Sequence, residues 1–311
     1  MKTQNNEYPA VLVVGLNPTV QKTLVLEDFE LGGVNRSSEY LFTVGGKGAN
    51  ASRVMHQLGH NPVYLTQAGG QMRPFFLSQL EQDGVRTEWV ESNSEIRFCY
   101  TLVRKEPHSA TEIVENGAPV DEETDRRVRE KFARLLPECC AMVIAGSKTQ
   151  GFSRDIYLDM MKKARQAGET IVIDLAGREL QSALEYAPDV IKINLYEFIT
   201  AFMPETDLGG QNVGEHFYTP AAERAAAIYH QTGSKFVLSN GSMDTLIIDG
   251  EQVSRISPKR VQALNPIGSG DAFTGGLTAG LVEGLRLHDA AAKGMDCAKR
   301  NLRLLKTGTI R

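Results

Sequence analysis

The sequence predicts an α/β protein: a mostly parallel sheet with helices on both faces, and a second, smaller sheet placed to cover a cleft. Three observations carry this. Short runs rich in β-branched residues alternate with longer segments of helical period, two regions break that alternation with strand patterning alone, and two glycine clusters lead into helical segments.

In chain order, "AVLVVGL" (10–16) is apolar on both faces and reads as a buried strand. Residues 20–44 alternate without a helix between neighbours and form the first part of the small sheet. "VGGKGANASRVMHQLG" (44–59) is a glycine cluster opening a helix that closes at Gly59. Residues 85–115, with "RFCYTLV" at 97–103, supply the rest of the small sheet, and 121–136 mixes both charge signs at helical spacing, as a solvated helix face does. "AMVIAG" (141–146), "TIVID" (170–174), "VIKIN" (190–194) and "KFVLSNG" (235–241) are further buried strands, separated by helices at 153–167, 179–186 and 220–232. The Gly-rich 204–220 is long for a loop in a compact domain. A last helix starts near Asp271, with Phe273, Leu277 and Leu281 on one stripe.

The 311 residues suit one large domain spanning 1–311, with an ordinary 41% hydrophobic and 23% charged composition. With 34 basic against 38 acidic residues, the net charge of −4 excludes a global attraction to nucleic acid or to an anionic membrane. An anionic ligand must be met by local groups. Cys99, Cys139, Cys140 and Cys297 form no CxxC pair or disulfide framework, which points to a reducing cytoplasm. The opening "MKTQNNEYPA" resembles neither a leader nor a span, and no segment approaches the ~20 apolar residues of a transmembrane helix.

Two stretches carry the chemistry. In the first, Gly45, Gly46 and Gly48 let the backbone approach a ligand at a helix start, Lys47 adds a point charge and Asn50 an amide. It is not a Walker loop, because Gly48 stands where that motif needs Ser or Thr, and a flexible turn before a core helix is the alternative. In the second, "NPIGSGDAFTGG" (265–276), the amides of Gly268, Ser269, Gly270 and Asp271 converge at a helix N-terminus, a ready anion site. Asp271 is either a cap, worth on the order of 1 kcal/mol, or a carboxylate that takes a proton from a substrate hydroxyl. Spacing leaves the two open.

Together "GGKGANASRV" and "NPIGSGDAFTGG" resemble the two signatures of the ribokinase-like, PfkB-type carbohydrate kinases. The resemblance runs along nearly the whole chain through "GLNPTVQKT", "ATEIVENGAPV", "IAGSKTQGFSRDIY", "VIKINLYEF" and "VLSNG", and the Asn-Pro forms are most similar to the 1-phosphofructokinase and tagatose-6-phosphate kinase branch. It implies a doubly wound α/β fold with a small β-sheet lid, cytoplasmic, and ATP- and Mg²⁺-dependent phosphoryl transfer to a ketohexose phosphate. By position it implies Asp271 as general base and Gly268, Ser269 and Gly270 as anion hole. It places Gln21, Gly45, Gly46, Lys47, Asn50 and Arg97 at the acceptor, with Lys47 and Arg97 gripping its phosphate. It puts Asn194, Ser239, Gly241, Gly268 and Gly270 at ATP, with Asn194 and Glu197 near Mg²⁺ through water. A homodimer through the lid strands is implied by analogy.

For Asn194 and Glu197 the alternative is an ordinary first helical turn; for Arg97 it is a solvent-facing lid residue. Three departures from the family pattern stand out: Gln21 stands where an Asp is usual, Lys148 and Thr149 replace Leu-Pro, and Ile193 replaces a proline. The first two bear on the acceptor, so a kinase of an unphosphorylated sugar or nucleoside is the competing reading, and an inactive sugar- or nucleotide-binding regulator a third. His56 and His60 have helical ligand spacing but no third partner, and read as structural. "KRNLRLLK" (299–306) reads as the outer face of a terminal helix, with Asn301 near the adenine by family analogy.

Overall fold

The computed structural model describes residues 8–311 apart from 107, 209, 211 and 212; the opening residues 1–7 and three positions of the 204–220 loop lie outside the described residues. The strands are β1 (Ala10–Val14), β2 (Thr19–Leu26), β3 (Glu39–Gly45), β4 (Asn61–Gly69), β5 (Arg86–Ser92), β6 (Arg97–Arg104), β7 (Ser109–Val114), β8 (Cys139–Ala145), β9 (Thr170–Asp174), β10 (Val190–Asn194), β11 (Lys235–Asn240), β12 (Met243–Asp249) and β13 (Gln252–Ile256). The helices are α1 (Lys47–Gln57), α2 (Arg73–Gln82), α3 (Glu122–Leu135), α4 (Ile156–Ala167), α5 (Gly177–Ala183), α6 (Leu195–Phe202), α7 (Tyr218–Thr232), α8 (Ser269–Val282) and α9 (Leu287–Asn301).

Nine strands form one sheet in the order β13-β12-β11-β10-β9-β8-β1-β4-β5, with every pairing parallel except β11–β12 and β12–β13. Alternation along β1 sends Leu12 and Val14 into the core on one face, which also holds Phe132, Met160 and Phe198, and Val11 and Val13 into the core on the other, with Met55, Phe273 and Leu277. Both faces are therefore covered, as a parallel sheet requires. Each such side chain contributes roughly 1.5–3 kcal/mol by leaving water. Strand order reverses at β1, with β4 and β5 to one side and β8 onward to the other, and in open α/β sheets a ligand site forms beyond the strand ends at that reversal.

The second sheet, β3-β2-β6-β7, stands over that end. Gln21 and Thr101 are diagonal neighbours joined by a hydrogen bond on its inner side, while Lys22, Phe42 and Tyr100 point outward, with Tyr40 and Ile113 exposed. Its edge strand β3 runs through Gly45 directly into α1, which couples the small sheet to the glycine cluster.

Three expectations need correction. Residues 86–92 are not part of the small sheet: β5 pairs in parallel with β4 at the edge of the large one, because Val90 packs into the core beside Leu65. The sequence reading leaves out β4 and the β12–β13 hairpin: β12 is buried continuously from Thr245 to Ile248, and β13 is a largely exposed edge strand defined by its antiparallel pairing with β12. The 204–220 stretch is not all loop, since Glu215–Phe217 form a 3₁₀ turn, α7 begins at Tyr218, and the buried Val213 carbonyl accepts from Asn240 Nδ2 at 2.8 Å. All four cysteines are free thiols. Among the described residues, no helix is long and apolar enough to cross a membrane.

Candidate active site

The site is built where α8 begins. Its cap is Gly268 in the left-handed region (φ 80°), where a Cβ would stand 2.6 Å from the Gly308 amide nitrogen, so only glycine fits. No side chain caps the helix, and of its first amides that of Ser269 donates to the Pro266 carbonyl at 3.3 Å. Asp271 is the third residue of α8, and its carboxylate turns away from the helix end to accept a hydrogen bond from Asn50 Nδ2 at 2.7 Å. The capping alternative is thereby excluded. Burial pushes the Asp271 pKa above the ordinary carboxylate value; the Lys47 charge opposes this, the Asp174 charge adds to it, and the Asn50 hydrogen bond and Lys192 pull it back down.

Beside Asp271 lies a buried ion cluster. Asp174, at the end of β9, is bound by Lys47 Nζ at 2.7 Å, Lys192 Nζ at 3.0 Å and the Thr274 hydroxyl at 2.7 Å. Burial alone would raise its pKa, yet Lys192 and Lys47 outweigh it and hold the carboxyl well below the usual range. The same attraction, Asp174 first and then Asp271 and Glu197, holds the Lys47 ammonium well above its ordinary value against the cost of burial. Lys192 reaches the start of α8: a Cβ on Gly270 would lie 3.1 Å from its Nζ. Two cations therefore meet the N-terminus of α8.

Asn194 closes β10 and caps α6, its Oδ1 accepting from the Glu197 amide at 2.8 Å. This is the helical-turn reading of the pair, but it leaves the Glu197 carboxylate near enough to Lys47 to act on it. Ser239 stands level with Asn194 on the neighbouring β11, and Gly241 (φ 56°) turns the chain into β12, so the positions expected at ATP share one end of the sheet. Among the described residues, no group of three or more His, Cys, Asp or Glu forms a metal cage. Mg²⁺ bound to a nucleotide keeps phosphate oxygens and waters as ligands and needs only one or two carboxylates. Glu197 offers that kind of donor, so the residues present fit the ion.

On the opposite side, Gly15, Gly146, Lys47, Tyr64 and Arg97 line a small cavity between the small sheet and the strand ends. Arg97 donates through Nη1 to the Glu115 carbonyl at 3.2 Å, while its buried Nε has no hydrogen-bond partner. Gly46 has φ 102°, with the Asn17 carbonyl 3.1 Å from where a Cβ would be. Three expected contacts point elsewhere. Gln21 is 4% exposed, donating to the Thr101 hydroxyl and accepting from Thr307, with Gly45 against its Oε1. Lys148 is paired with Glu179 and lies over the Tyr157 ring. Asn301 is buried, donating to the Ile267 carbonyl at 3.0 Å and accepting from the Thr309 amide at 3.1 Å, which makes it a joint beneath the loop. His60 is held by Glu283 at 2.8 Å and stacks on Tyr8, in keeping with a structural role.

Sequence reasoning missed Asp174, Lys192, Thr274 and Arg53. The first two carried a signal: a charged residue inside or ending an apolar strand is buried with that strand and needs a partner. Thr274 and Arg53 carried none, since each sits on a helix among residues of every kind.

Comparison with known proteins agrees with this geometry. The model of the pfkB family carbohydrate kinases matches residues 11–310. Phosphofructokinase-2 from Escherichia coli, solved with potassium, superposes with a TM-score of 0.83 at 21% identity, covering 97% of this chain and 95% of that one. A possible 1-phosphofructokinase from Thermotoga maritima gives 0.83 at 23% identity over 96% and 93%, and ribokinase from the same organism 0.76 at 17% over 97% and 95%. The doubly wound sheet, the small sheet over its reversal point and a match running from β1 through the segment after α9 belong together: this chain is a member of the pfkB family of carbohydrate kinases, enzymes that phosphorylate an alcohol group.

Proposed function

We propose that the enzyme transfers the γ-phosphoryl of ATP to a hydroxyl of a ketohexose phosphate, with fructose 1-phosphate, fructose 6-phosphate and tagatose 6-phosphate as the candidate acceptors. The observation that carries this reading is the pairing of one oriented carboxylate, Asp271, with an uncapped helix start backed by Lys192. The acceptor hydroxyl lies between Asp271 and the γ-phosphorus. Its oxygen bonds to phosphorus as the bond to the β–γ bridging oxygen breaks, ADP leaves with that oxygen, and the hydroxyl proton passes to Asp271. A carboxylate is a weak base, but it suffices when the proton leaves late, from an oxygen already bonding to phosphorus. The amides of Gly268, Ser269 and Gly270 neutralise charge on the transferring group, which suits a loose transition state governed by placement and electrostatics. Glu197 and Asn194 would hold Mg²⁺ through water, and the ion would supply charge neutralisation on the nucleotide. Ser239 and Gly241 lie on the nucleotide side.

A phosphate already on the acceptor is supported by Arg97, whose buried Nε lacks a partner while the side chain lines the acceptor cavity. Lys47 contributes less net attraction than its charge suggests, because Asp174 already compensates it. That compensation is what favours the competing reading, an unphosphorylated sugar or nucleoside. ADP formation measured across the three ketohexose phosphates, fructose, ribose and adenosine separates them. A phosphorylated ketohexose should give the highest kcat/KM; fastest turnover of fructose, ribose or adenosine would select the second reading, and no turnover with any acceptor the binding-regulator one.

Arg97→Ala should raise KM for the phosphosugar about tenfold or more while KM for ATP stays near its starting value. Equal effects on both would remove Arg97 from the acceptor site. A cytoplasmic homodimer through the outer face of the small sheet completes the proposal, supported by the exposed Tyr40 and Ile113 and the partly exposed Phe42 on that sheet.

A further inference from the structure

We propose that Arg53 is a positioning residue for phosphoryl transfer: its guanidinium fixes which end of the Asn50 side-chain amide faces the Asp271 carboxylate. The inference rests on the reading of Asp271 as the base.

Arg53 follows Asn50 by three residues on α1, so both point from the same face of the helix. Its side chain is 0% exposed, yet every donor edge is engaged. Nε binds Asp83 Oδ2 at 2.6 Å and Nη2 the Val44 carbonyl at 2.9 Å. Nη1 reaches Asn50 Oδ1 at 2.9 Å, the Thr307 carbonyl at 3.1 Å and the Gly308 carbonyl at 3.2 Å. One buried group thus ties β3 of the small sheet, the segment after α9 and the Asn50 amide together.

The two ends of an asparagine amide are alike in shape and opposite in hydrogen bonding. A guanidinium offers donors only, so the end of Asn50 beside Arg53 has to be the oxygen, and the NH₂ is left to donate to Asp271. The amide has no room to move aside instead: a Cβ on Gly308 would lie 2.2 Å from Asn50 Cβ, so the segment after α9 packs directly on it. What remains free is a flip about its own axis. A flipped amide would set Oδ1 against the Asp271 carboxylate, repelling the ionised base and favouring its protonated, inactive form. The other charged groups acting on Asp271 are Lys47, Asp174 and Lys192, with Glu112 from β7 reaching the same space, and none of them contacts the Asn50 amide.

The test uses the best acceptor from the panel above. Arg53→Lys keeps a charge opposite Asp83, but a single ammonium cannot hold Asp83, Val44 and Asn50 together. Its kcat should fall roughly 10–100-fold with KM for ATP unchanged, and the acidic limb of the kcat–pH profile should move to higher pH. Because Arg53 acts through Asn50, Arg53→Lys combined with Asn50→Ala should be no slower than Asn50→Ala alone, within about twofold. Val128→Ala, on the buried face of α3, serves as a variant that loses stability without losing kcat. Asn50→Asp, made with Arg53 intact, places an oxygen permanently against Asp271 and should be slower than Asn50→Ala; it carries the test if the lysine variant does not fold. Wild-type kcat in Arg53→Lys, rate losses that multiply in the double variant, or equal rates for Asn50→Asp and Asn50→Ala would each overturn the inference. Near-normal turnover in Asp271→Asn would instead defeat the reading of the base itself.

Discussion

Asp271→Asn should bind ATP normally and turn over about 10²–10⁴ times more slowly, the range that removal of a positioned general base produces. Asparagine keeps the shape and can still accept from Asn50 Nδ2, so the loss isolates the ability to take a proton. Stability should move the other way. A carboxyl whose folded pKa is raised above its unfolded value penalises the fold at neutral pH, and the penalty is relieved as pH falls through the folded pKa. Removing that ionisable group therefore leaves the melting temperature unchanged or higher. In the wild type, kcat should fall on the acid side through a pKa above the ordinary carboxylate value. Kinetics with saturating acceptor, nucleotide binding by calorimetry and thermal melts check the three parts. A variant that melts lower and keeps its kcat would make Asp271 a structural carboxylate.

Asp174→Asn should be the most destabilising single substitution near the site. It leaves Lys47 and Lys192 facing each other without their common counter-ion, and breaking a buried pair this way costs about 3–5 kcal/mol. For a chain of this size that is a fall in melting temperature on the order of 5–10 °C. The pH dependence follows from the depressed pKa of Asp174: its contribution is present above the unfolded carboxylate value and is lost as pH falls through the folded one. Wild type and variant should therefore converge in stability in strong acid and differ most near neutrality. The raised Lys47 acts at the other end, contributing below the unfolded lysine value and fading as pH rises through the folded one. Adding Lys47→Met to Asp174→Asn should recover part of the loss, since one unpaired cation is removed. Melting curves across the pH range decide this, and a constant gap between wild type and variant down to strong acid would show that the ion cluster does not set the difference.

The two predictions concern neighbouring carboxylates of opposite character. Two lysines converging on Asp174 hold its carboxyl well below the usual range, while burial and the charge of Asp174 push that of Asp271 above it. Divergent environments of this kind separate a structural anion from a proton acceptor. Asp271 was legible beforehand because glycines before a helix and an acid at its start are a local pattern. Asp174 was not, because its partners come from α1 and β10, 127 and 18 residues away in sequence.

The same distinction separates right expectations from wrong ones in the fold. Buried parallel strands are continuous apolar runs, so β1, β8, β9, β10 and β11 could be read directly. The assignment of 86–92 to the small sheet failed because an edge strand and a lid strand share the same half-buried pattern, and only pairing with β4 tells them apart. Gln21 and Lys148 looked like determinants of the acceptor because charge and amide chemistry were visible, whereas their partners Thr101, Thr307 and Glu179 were not.

By itself the sequence determined the α/β class, the small covering sheet, the two glycine-led helix starts and the acid at the second of them. Each is a local matter of period, backbone freedom and residue type. Tertiary structure alone decided that Asn50 faces Asp271, that Arg53 stands behind Asn50, and that Asp174 gathers Lys47 and Lys192 under the helix start. Those contacts join residues distant in the chain, and a buried charge finds its partner through the packing of the whole domain rather than through its neighbours in sequence.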